Sequence, residues 1–313
     1  MQTIETHMSW VFMAGDHVLK MKKPVRYPYL DFSTLAAREF CCREEVRLNS
    51  RLAPGVYEGL RALHWDGQAL TLLPESALPA PGTVLDWLVR MRRLPRSRML
   101  DALLAAHEAT PAQVKALADR LLAFYKGLPA VAITGIEYVS RFEREQIVNR
   151  EVLMRAEFDL HDAAAALRAL DLGLRDNAVR LRERADSGHI VEGHGDLRPE
   201  HVCLLDPPVV IDALEFNAAF RQVDPLDEIA YLGMECEAAG AAWIGPQLVG
   251  CVGSALEVAQ HAPLIAWYTA FRALLRARLV AAHLLEPQPR RAGHWLPLAR
   301  RYVGLALRAL AAS

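Results

Sequence analysis

Apolar and polar residues alternate through much of the first hundred positions, which predicts β-strands. Residues 10–14 are apolar, Gly15-Asp16 is a turn signal and residues 17–23 alternate, so this segment predicts a hairpin. Further strands with the same character are predicted at 59–65, 68–73 and 83–89. Between them, residues 34–52 place apolar positions three and four apart, which predicts a helix that begins at Ser33 or Thr34.

Beyond Pro95 the chain is rich in alanine, leucine and arginine at helical spacing. This pattern predicts helices over 99–107, 111–125, 151–184, 225–238, 246–260, 263–285 and 295–312. We therefore predict an α+β fold with two lobes. Residues 1–95 form a small strand-rich N-terminal lobe and residues 96–313 a larger helical C-terminal lobe.

One stretch of strand character, residues 190–217, interrupts the helical half with the sequence IVEGHGDLRPEHVCLLDPPVVIDALEFN. Apolar runs on both sides of Asp206-Pro207-Pro208 predict a hairpin. A turn centred on these residues sets His201 opposite Asp212, where paired side chains lie about 5 Å apart. Asp196 lies in the preceding loop, HGDLRP, whose composition favours exposed side chains. The stretch therefore gathers two carboxylates and a histidine.

Composition limits the class of protein. A chain of 313 residues with 52% hydrophobic content can bury a sizeable core, and its net charge of −1 gives no general attraction to nucleic acid or to an anionic membrane. Five cysteines without a CxxC pair predict neither a zinc ribbon nor a disulfide framework. The first residues lack a basic start followed by an apolar run, and no stretch reaches about 18 apolar residues. We expect a soluble, cytoplasmic protein that binds neither nucleic acid nor membrane.

Lysine is rare in this chain, and three of its five lysines are Lys20, Lys22 and Lys23. Taken alone, the cluster is typical of a solvated strand end beside Pro24. In the predicted strand, Lys20 and Lys22 share one face. Before the hairpin, residues 5–9 (ETHMS) offer hydroxyls and backbone N–H groups to a phosphate, although this loop has no glycine.

These residue types are sufficient for phosphoryl transfer. A carboxylate in an exposed loop accepts a proton from a hydroxyl or amine, and a second carboxylate with an imidazole holds a divalent cation. A lysine on the nucleotide phosphates completes the set that this reaction needs. Asp196, Asp212, His201 and Lys20 fit these roles.

The order of these predicted elements and motifs along the chain resembles that of the aminoglycoside phosphotransferase family, which has the bilobal protein-kinase-like fold. The resemblance spans most of the chain and is most specific in HGDLRPEHVCLLDPPVVIDALEF, because the family carries a His-Gly-Asp loop followed by a hairpin that ends in Ile-Asp. The segments ETHMSWVFMAGDHVLKMKKPV and YLDFST further resemble a branch often fused to a C-terminal P-loop ATPase domain. The sequence contains no GxxxxGKS/T motif, so we do not expect a P-loop ATPase domain within it. We expect instead a functional link to such a domain.

The resemblance implies roles for individual residues. It makes Asp196 the catalytic base, Asp212 the principal Mg²⁺ ligand and Lys20 the lysine on the α- and β-phosphates of ATP. Glu45 is implied to pair with Lys20, with Glu44 as the second choice.

It also implies the remaining nucleotide contacts. Met91 and Arg92 would fall at the crossover between lobes, where backbone groups meet adenine, and Thr6 and Ser9 would cover the phosphates. Arg198 would touch the transferred phosphate or pair with Glu200. Asp227 would brace the catalytic loop from beneath.

Two features depart from the family pattern. His201 stands where the family has asparagine as second metal ligand, and imidazole is a softer donor than Mg²⁺ prefers. The other departure is the N-terminal loop without glycine. Glu215 either supplies a further oxygen ligand or forms a salt bridge to Arg198 or Arg221.

Three other sites have structural interpretations. His194 is expected to brace its loop through a bond to the backbone or to Asp227, and Cys203 is expected in the core. Helical residues spaced by four are expected to form a solvated stripe, namely Tyr268, Arg272 and Arg276.

We therefore predict an ATP- and Mg²⁺-dependent phosphotransferase that acts on a hydroxyl or amine of a small-molecule acceptor. The alternative is a catalytically weak or inactive regulatory module that binds nucleotide, and a third hypothesis is a metal-dependent hydrolase that uses the His and Asp cluster directly. The Ala/Leu/Arg-rich helices of the larger lobe carry no motif for a particular acceptor. The lack of a dense acidic patch disfavours polycationic aminoglycosides.

Overall fold

A computed structural model describes residues 2–253, 255, 256, 258–286 and 292–311. The chain forms two compact units. The first comprises the described residues up to Leu103 together with His194–Asp196 and Glu200–Arg221, and the second comprises the rest. A sheet dominates the first unit and helices the second, which confirms the predicted α+β class. The predicted boundary at residue 95 stays a prediction.

The first unit contains a six-stranded antiparallel sheet. In chain order the strands of this part are β1 (Gln2–Glu5), β2 (Ser9–Ala14), β3 (His17–Lys22), β4 (Arg26–Tyr27), β5 (Leu30–Asp31), β6 (Tyr57–Trp65), β7 (Leu70–Pro74) and β8 (Thr83–Arg92). The sheet order is β1-β2-β3-β8-β6-β7, and β4 pairs with β5 in a separate ribbon. The predicted hairpins are confirmed, and β1 adds a strand that the pattern did not predict.

Helix α1 (Leu35–Asn49) begins after Thr34, whose hydroxyl accepts a hydrogen bond from the Ala37 amide. The helix packs on the sheet through a buried cluster that includes Cys42 and Trp87. Because α1 lies against β8 and β6, side chains on its buried face reach the end of the sheet where β3 carries its lysines.

The predicted hairpin is present but short. Strand β9 (Val191–Glu192) precedes it, and its two strands, β10 (Val202–Cys203) and β11 (Val209–Val210), are fully buried. The amide of Ile211 donates to the carbonyl of His201 at 2.9 Å, so His201 stands opposite Ile211. The predicted register was wrong by one residue, because the observed pairing is centred on Asp206, whereas a pairing of His201 with Asp212 is centred between Asp206 and Pro207.

The remaining elements are helical apart from β12 (Gln222–Val223), which pairs with β9. They are α2 (Leu100–Ala106), α3 (Pro111–Lys126), α4 (Gly135–Leu153), α5 (Ala163–Asp186), α6 (Pro225–Ala238), α7 (Ile244–Val252), α8 (Ala262–Ala282) and α9 (Ala292–Ala311). In the described ranges, no helix has both the length and the apolar character needed to cross a bilayer.

The helix predicted over 151–184 is confirmed from Ala163 onward but is not continuous with residues 151–153. Helix α4 ends at Leu153 and α5 begins at Ala163, with Asp159 between them in a left-handed conformation (φ 47°) that no α-helix accommodates. The helix predicted over 246–260 ends at Val252, and positions 254 and 257 lie outside the described residues. Position 312 of the last predicted helix also lies outside them.

Helices α4, α5, α6, α8 and α9 share the large apolar core of the second unit. Tyr268 and Arg272 are buried in it rather than solvated, and Arg276 is nearly so, so the predicted stripe is wrong. The reason is that α6 supplies acidic partners: Arg272 donates to both oxygens of Asp227, at 2.7 and 2.5 Å, and Arg276 pairs with Glu235 at 2.7 Å. Asp227 therefore pairs with α8, and its implied role beneath the catalytic loop stays a prediction.

Candidate active site

Lys20 lies at the centre of an ion cluster within the first unit. Its Nζ is 2.9 Å from Glu45 Oε1 and 2.8 Å from Asp212 Oδ1. Strand β3 directs Lys20 toward α1, and Asp212 follows β11 at the end of the hairpin. Of the two acidic residues considered on α1, Glu45 meets Lys20, whereas Glu44 pairs with Arg47 one turn further along the helix.

The cluster keeps its members charged. Burial alone would lower the pKa of Lys20, but Asp212 and Glu45 raise it well above its usual range. Burial would likewise raise the pKa of Glu45, yet the two neighbouring lysines lower it. The side chain of Asp212 is 44% exposed, and Lys20 and His201 hold its pKa well below the usual range against the effect of burial. The two carboxylates are therefore ionised and the lysine protonated at neutral pH.

A second lysine, Lys22, lies on the same face of β3 as predicted, but it is fully buried. Its Nζ donates to Glu45 Oε2 at 2.8 Å and to Glu215, and it lies 5.1 Å from the centre of the Phe32 ring. Burial would lower the pKa of Lys22, but Glu215 and Glu45 raise it. The interpretation of the lysine cluster as a solvated strand end is wrong for Lys20 and Lys22, because acidic partners from α1 and from the hairpin cover them.

This arrangement also corrects the prediction for Glu215. Its carboxylate bonds to Lys22, and not to either arginine that was considered as its salt-bridge partner. Arg221 instead donates to the Leu214 carbonyl at 2.7 Å and lies 3.8 Å from Glu44. Lys22 bonds to Oε1 of Glu215, and the role of Glu215 as an oxygen ligand stays a prediction.

Replacing Lys22 by methionine should strongly destabilise the protein. The change leaves Glu215 and one oxygen of Glu45 buried without their cation, and breaking a buried ion pair from one side costs about 3–5 kcal/mol. We expect the midpoint of thermal unfolding to fall by roughly 10 °C. Lys115→Met is the matched control, because Lys115 is exposed and pairs with Asp119 on the surface of α3. Equal unfolding midpoints for the two variants would contradict a structural role for Lys22.

His201 lies between the two carboxylates that the sequence singled out. Its Nε2 is 3.6 Å from Asp212 Oδ2, and its Nδ1 is 3.8 Å from Asp196 Oδ2. The Nδ1–H donates to the Asp196 carbonyl at 2.8 Å. In the neutral ring this bond places the lone pair on Nε2, on the side of Asp212. Asp212 does not stand opposite His201 in the hairpin. Its left-handed φ of 64° nevertheless turns its side chain toward His201.

His194 braces the loop, as predicted, through the backbone. Its Nδ1 accepts the amide of Asp196 at 3.2 Å, and its Nε2 donates to the Ile211 carbonyl at 2.8 Å. The ring is buried and stacks on His201 with centroids 5.7 Å apart. Both nitrogens are thus committed to holding Asp196 next to the end of β11.

Two site residues were missed at the sequence level. The amide of Asp212 donates to the Tyr57 hydroxyl at 3.3 Å, and the amide of Ala213 donates to Asn49 Oδ1 at 2.8 Å. Burial, with Glu45 close by, raises the pKa of Tyr57 well above its usual range, so the phenol stays neutral. Asn49 lies one helical turn after Glu45. This i, i+4 spacing places both side chains on the same face of α1, and it was the signal in the sequence that could have identified Asn49.

A cavity of about 380 Å³ opens beside these groups within the first unit. Its lining includes the predicted residues Lys20, Glu45, Asp212, His201, Glu215, Thr6, Ser9, Met91 and Arg92. The volume lies in the usual range for small-molecule sites. Cys203, in strand β10 of the hairpin, is fully buried, as predicted.

Met91 and Arg92 are the last residues of β8, so neither lies in the connection that follows. Met91 is paired with both neighbouring strands, and the amide of Arg92 donates to the Val56 carbonyl at 2.8 Å. Arg93 also uses its amide, on Asp16. The first cavity residue beyond the strand is Leu94, whose amide has no protein acceptor within the described part of the chain.

The loop between β1 and β2 is closed by Thr6. Its hydroxyl accepts the amides of Met8 and Ser9, at 3.3 and 2.9 Å, and donates to the Ser9 carbonyl at 3.1 Å. Two of the amides considered for phosphate contact are thus already bonded within the loop. Arg198 is half-buried and belongs to the second unit, and its predicted contacts stay a prediction.

No protein-family model matches the chain. An uncharacterized protein of Mycobacterium tuberculosis is 29% identical over 308 residues, and the match covers 91% of this chain and 55% of that protein. An uncharacterized protein of Mycobacterium bovis matches equally well. The chain thus spans about half the length of the curated relatives it matches.

Two solved structures share the fold. A glucosamine kinase in complex with glucosamine, ADP and inorganic phosphate superposes with a TM-score of 0.51 at 14% identity, over 98% of this chain and 80% of that one. The GDP complex of aminoglycoside 2′-phosphotransferase-IIIa gives a TM-score of 0.50 at 14% identity, over 96% and 90%. The predicted protein-kinase-like fold is thereby confirmed.

Proposed function

We propose that the chain is an ATP- and Mg²⁺-dependent phosphotransferase that moves the γ-phosphate to a hydroxyl or amine of a small molecule. One observation carries the proposal: Lys20 Nζ lies within 2.9 Å of both Glu45 and Asp212 at the wall of a cavity. The nucleotides named in the two structures of the same fold, ADP and GDP, support it.

In this proposal Lys20 binds the α- and β-phosphates, and Glu45 keeps its ammonium group directed into the cavity. Thr6 and Ser9 lie on the cavity wall as further polar groups for the phosphates. Met91 and Arg92 contribute side-chain surface to the nucleotide site. The hydrogen bond to adenine is assigned to the amide of Leu94, because the amides of Arg92 and Arg93 are already bonded.

Asp212 and His201 fit a divalent cation. Asp212 Oδ2 and His201 Nε2 are 3.6 Å apart, and the Nδ1–H bond to Asp196 fixes the imidazole in the orientation that a ligand needs. When bound, Mg²⁺ would neutralise the negative charge on the phosphate oxygens. One carboxylate and one imidazole are a weaker match to Mg²⁺ than two oxygen ligands, and Glu215, whose Oε1 bonds to Lys22, is the proposed further oxygen ligand.

Asp196 is the proposed base. The acceptor O–H or N–H gives its proton to the Asp196 carboxylate as the acceptor atom bonds to the γ-phosphorus, and the bond from that phosphorus to the bridging oxygen of ADP breaks. Arg198, on the same loop, is assigned to the oxygens of the transferred phosphoryl group. His194 and His201 hold the backbone of Asp196 in place for this step.

Nucleotide binding is tested by thermal unfolding with and without ATP and Mg²⁺. We expect saturating ATP to raise the unfolding midpoint of the natural chain by about 5 °C or more. Lys20→Met should remove most of this increase, because it deletes the cation that faces the phosphates. Lys115→Met should keep it. A full ATP-dependent increase in Lys20→Met would show that the nucleotide binds elsewhere.

The second candidate function is a regulatory module that binds nucleotide without transferring phosphate. The observation that favours it is the bonding of the Met8 and Ser9 amides to Thr6, together with His201 in place of an oxygen ligand. A functional link to a P-loop ATPase domain belongs to this proposal. It predicts an ATP-dependent rise in the unfolding midpoint with no phosphorylated product.

A further inference from the structure

Tyr57, the first residue of β6, lines the cavity that also holds Lys20 and Asp212. The residue is half-buried, and its ring packs against two buried apolar clusters of the first unit, one with Trp87 on β8 and one with Cys203 on β10. The pairing of β6 with β8 shifts its register directly after Tyr57, and such a bulge re-aims a side chain relative to a regular strand. Packing on two sides therefore holds the phenol in one position.

The protein uses only one side of the Tyr57 hydroxyl. Its oxygen accepts the amide of Asp212 at 3.3 Å. A phenol can donate one hydrogen bond as well as accept, and no atom in the described part of the chain accepts the hydrogen of this one. The donor is therefore left for a ligand in the cavity.

The surroundings of this hydroxyl favour an anionic oxygen as its acceptor. Burial raises the pKa of Tyr57 well above its usual range, and Glu45 and Asp212 raise it further, so the phenol keeps its proton. An ammonium or guanidinium ligand has no lone pair to offer this donor. Lys20 and Tyr57 both contact Asp212, the lysine at the carboxylate and the phenol at the amide, so a cationic and a neutral donor lie beside the same residue. Hydrogen bonds to ionised acceptors are roughly twice as strong as those between neutral groups.

We infer that Tyr57 is a nucleotide-binding residue whose hydroxyl donates to a non-bridging oxygen of the α- or β-phosphate, next to Lys20. The inference rests on the phosphotransferase function proposed above, since it adds a residue to that site. The same hydroxyl oxygen then joins the phosphate to the backbone of Asp212. Donation to the phosphate polarises the hydroxyl and strengthens the bond that it accepts from the Asp212 amide. Nucleotide binding thereby fixes the proposed metal ligand more firmly.

Calorimetry with ADP at saturating Mg²⁺ tests the inference. Tyr57→Phe removes the hydroxyl and keeps the ring, so ADP binding should weaken by about ten- to a hundredfold, the range for a hydrogen bond to a charged group. Adenosine has no phosphate and should bind to Tyr57→Phe and to the natural chain equally. Tyr29→Phe is the matched control, because Tyr29 is 48% exposed and does not line the cavity. It should bind ADP as the natural chain does.

The Mg²⁺ requirement separates a direct bond from an effect through Asp212. Tyr57→Phe also removes the acceptor of the Asp212 amide. Displacement of that metal ligand alone would raise the Mg²⁺ concentration needed for half-maximal ADP binding. A direct bond to the phosphate predicts weaker ADP binding with this concentration unchanged.

A measurement on the natural chain does not depend on the folding of a variant. Among the described lining residues of this cavity, Tyr57 is the only tyrosine. With tyrosine labelled by ¹³C at Cζ, one hydroxyl proton should become slow to exchange when ADP and Mg²⁺ are added and should show scalar coupling to a ³¹P nucleus. Adenosine should produce neither effect.

Equal ADP affinities of Tyr57→Phe and Tyr29→Phe would overturn the inference. An equal loss of adenosine and ADP binding, a loss explained wholly by a raised Mg²⁺ requirement, or the absence of the coupling in the ADP complex would also overturn it. Each of these results leaves ADP bound to the natural chain, so each refutes the role of Tyr57 alone. Failure of the natural chain to bind ADP refutes the proposed function and the role of Tyr57 with it.

Discussion

Asp196→Ala should reduce phosphoryl transfer by about 100- to 10,000-fold while leaving ATP binding nearly unchanged, because general-base catalysis contributes rate enhancement of that size. In the proposed mechanism the carboxylate accepts the proton of the acceptor, and the carboxylates bonded to Lys20 are those of Glu45 and Asp212. It lies on the far side of His201 from Asp212, with 3.8 Å between Asp196 Oδ2 and His201 Nδ1. The measurement is ADP release under saturating ATP, with calorimetry for nucleotide affinity.

Asp206→Ala is the control for this variant. Asp206 is an exposed carboxylate in the turn of the same hairpin, so its loss tests the effect of removing one charge from this segment. We expect its turnover to match that of the natural chain. Turnover of Asp196→Ala equal to that of Asp206→Ala would refute the assignment of the base.

Asp212→Asn should abolish the Mg²⁺ dependence of ATP binding. Loss of a residue that only orients a metal ligand typically weakens metal binding by 10–100-fold, so loss of a direct ligand should weaken it by at least about 100-fold. The substitution preserves shape and removes the negative charge. Because Lys20 and His201 hold the pKa of Asp212 well below its usual range, the natural carboxylate stays ionised throughout the assay range. The negative charge that the substitution removes is therefore present at both pH 6 and pH 8.

The sign of this pH argument follows from the direction of the shift. A carboxylate with a lowered pKa in the folded chain contributes stability and ligand charge above its unfolded pKa and loses them only as the pH falls through the folded value. Asp206→Asn is the control for Asp212→Asn, because it makes the same substitution at an exposed position of the same hairpin. Calorimetry that finds equal Mg²⁺-dependent ATP affinity for Asp212→Asn and the natural chain would remove Asp212 from the metal site.

The elements that carry the site could be predicted because local periodicity determines them. Alternation in β3 placed Lys20 and Lys22 on one face, and the spacing of apolar residues located α1 with Glu45 on it. The apolar runs beside Asp206 indicated the hairpin. Each of these signals lies within a single element, where the backbone repeat fixes the direction of a side chain.

The partners of those residues could not be predicted, because they come from distant parts of the chain. Lys22 is separated by 193 positions from Glu215, and nothing in either segment indicates the other. The solvated interpretation of Lys22 failed for that reason, as did that of Arg272, whose partner Asp227 lies on another helix. The hairpin register was missed by one residue, since strands of two residues leave little pattern to align.

Transfer of labelled phosphate from γ-³²P-ATP to a panel of small hydroxyl and amine acceptors, methyl glycosides among them, tests the central claim most directly. We predict a labelled acceptor and an equal amount of ADP with the natural chain and Mg²⁺, and neither above background with chelated metal or with Asp196→Ala. ATP that binds at the Lys20 site without labelling any acceptor, or equal labelling by Asp196→Ala, would contradict the account.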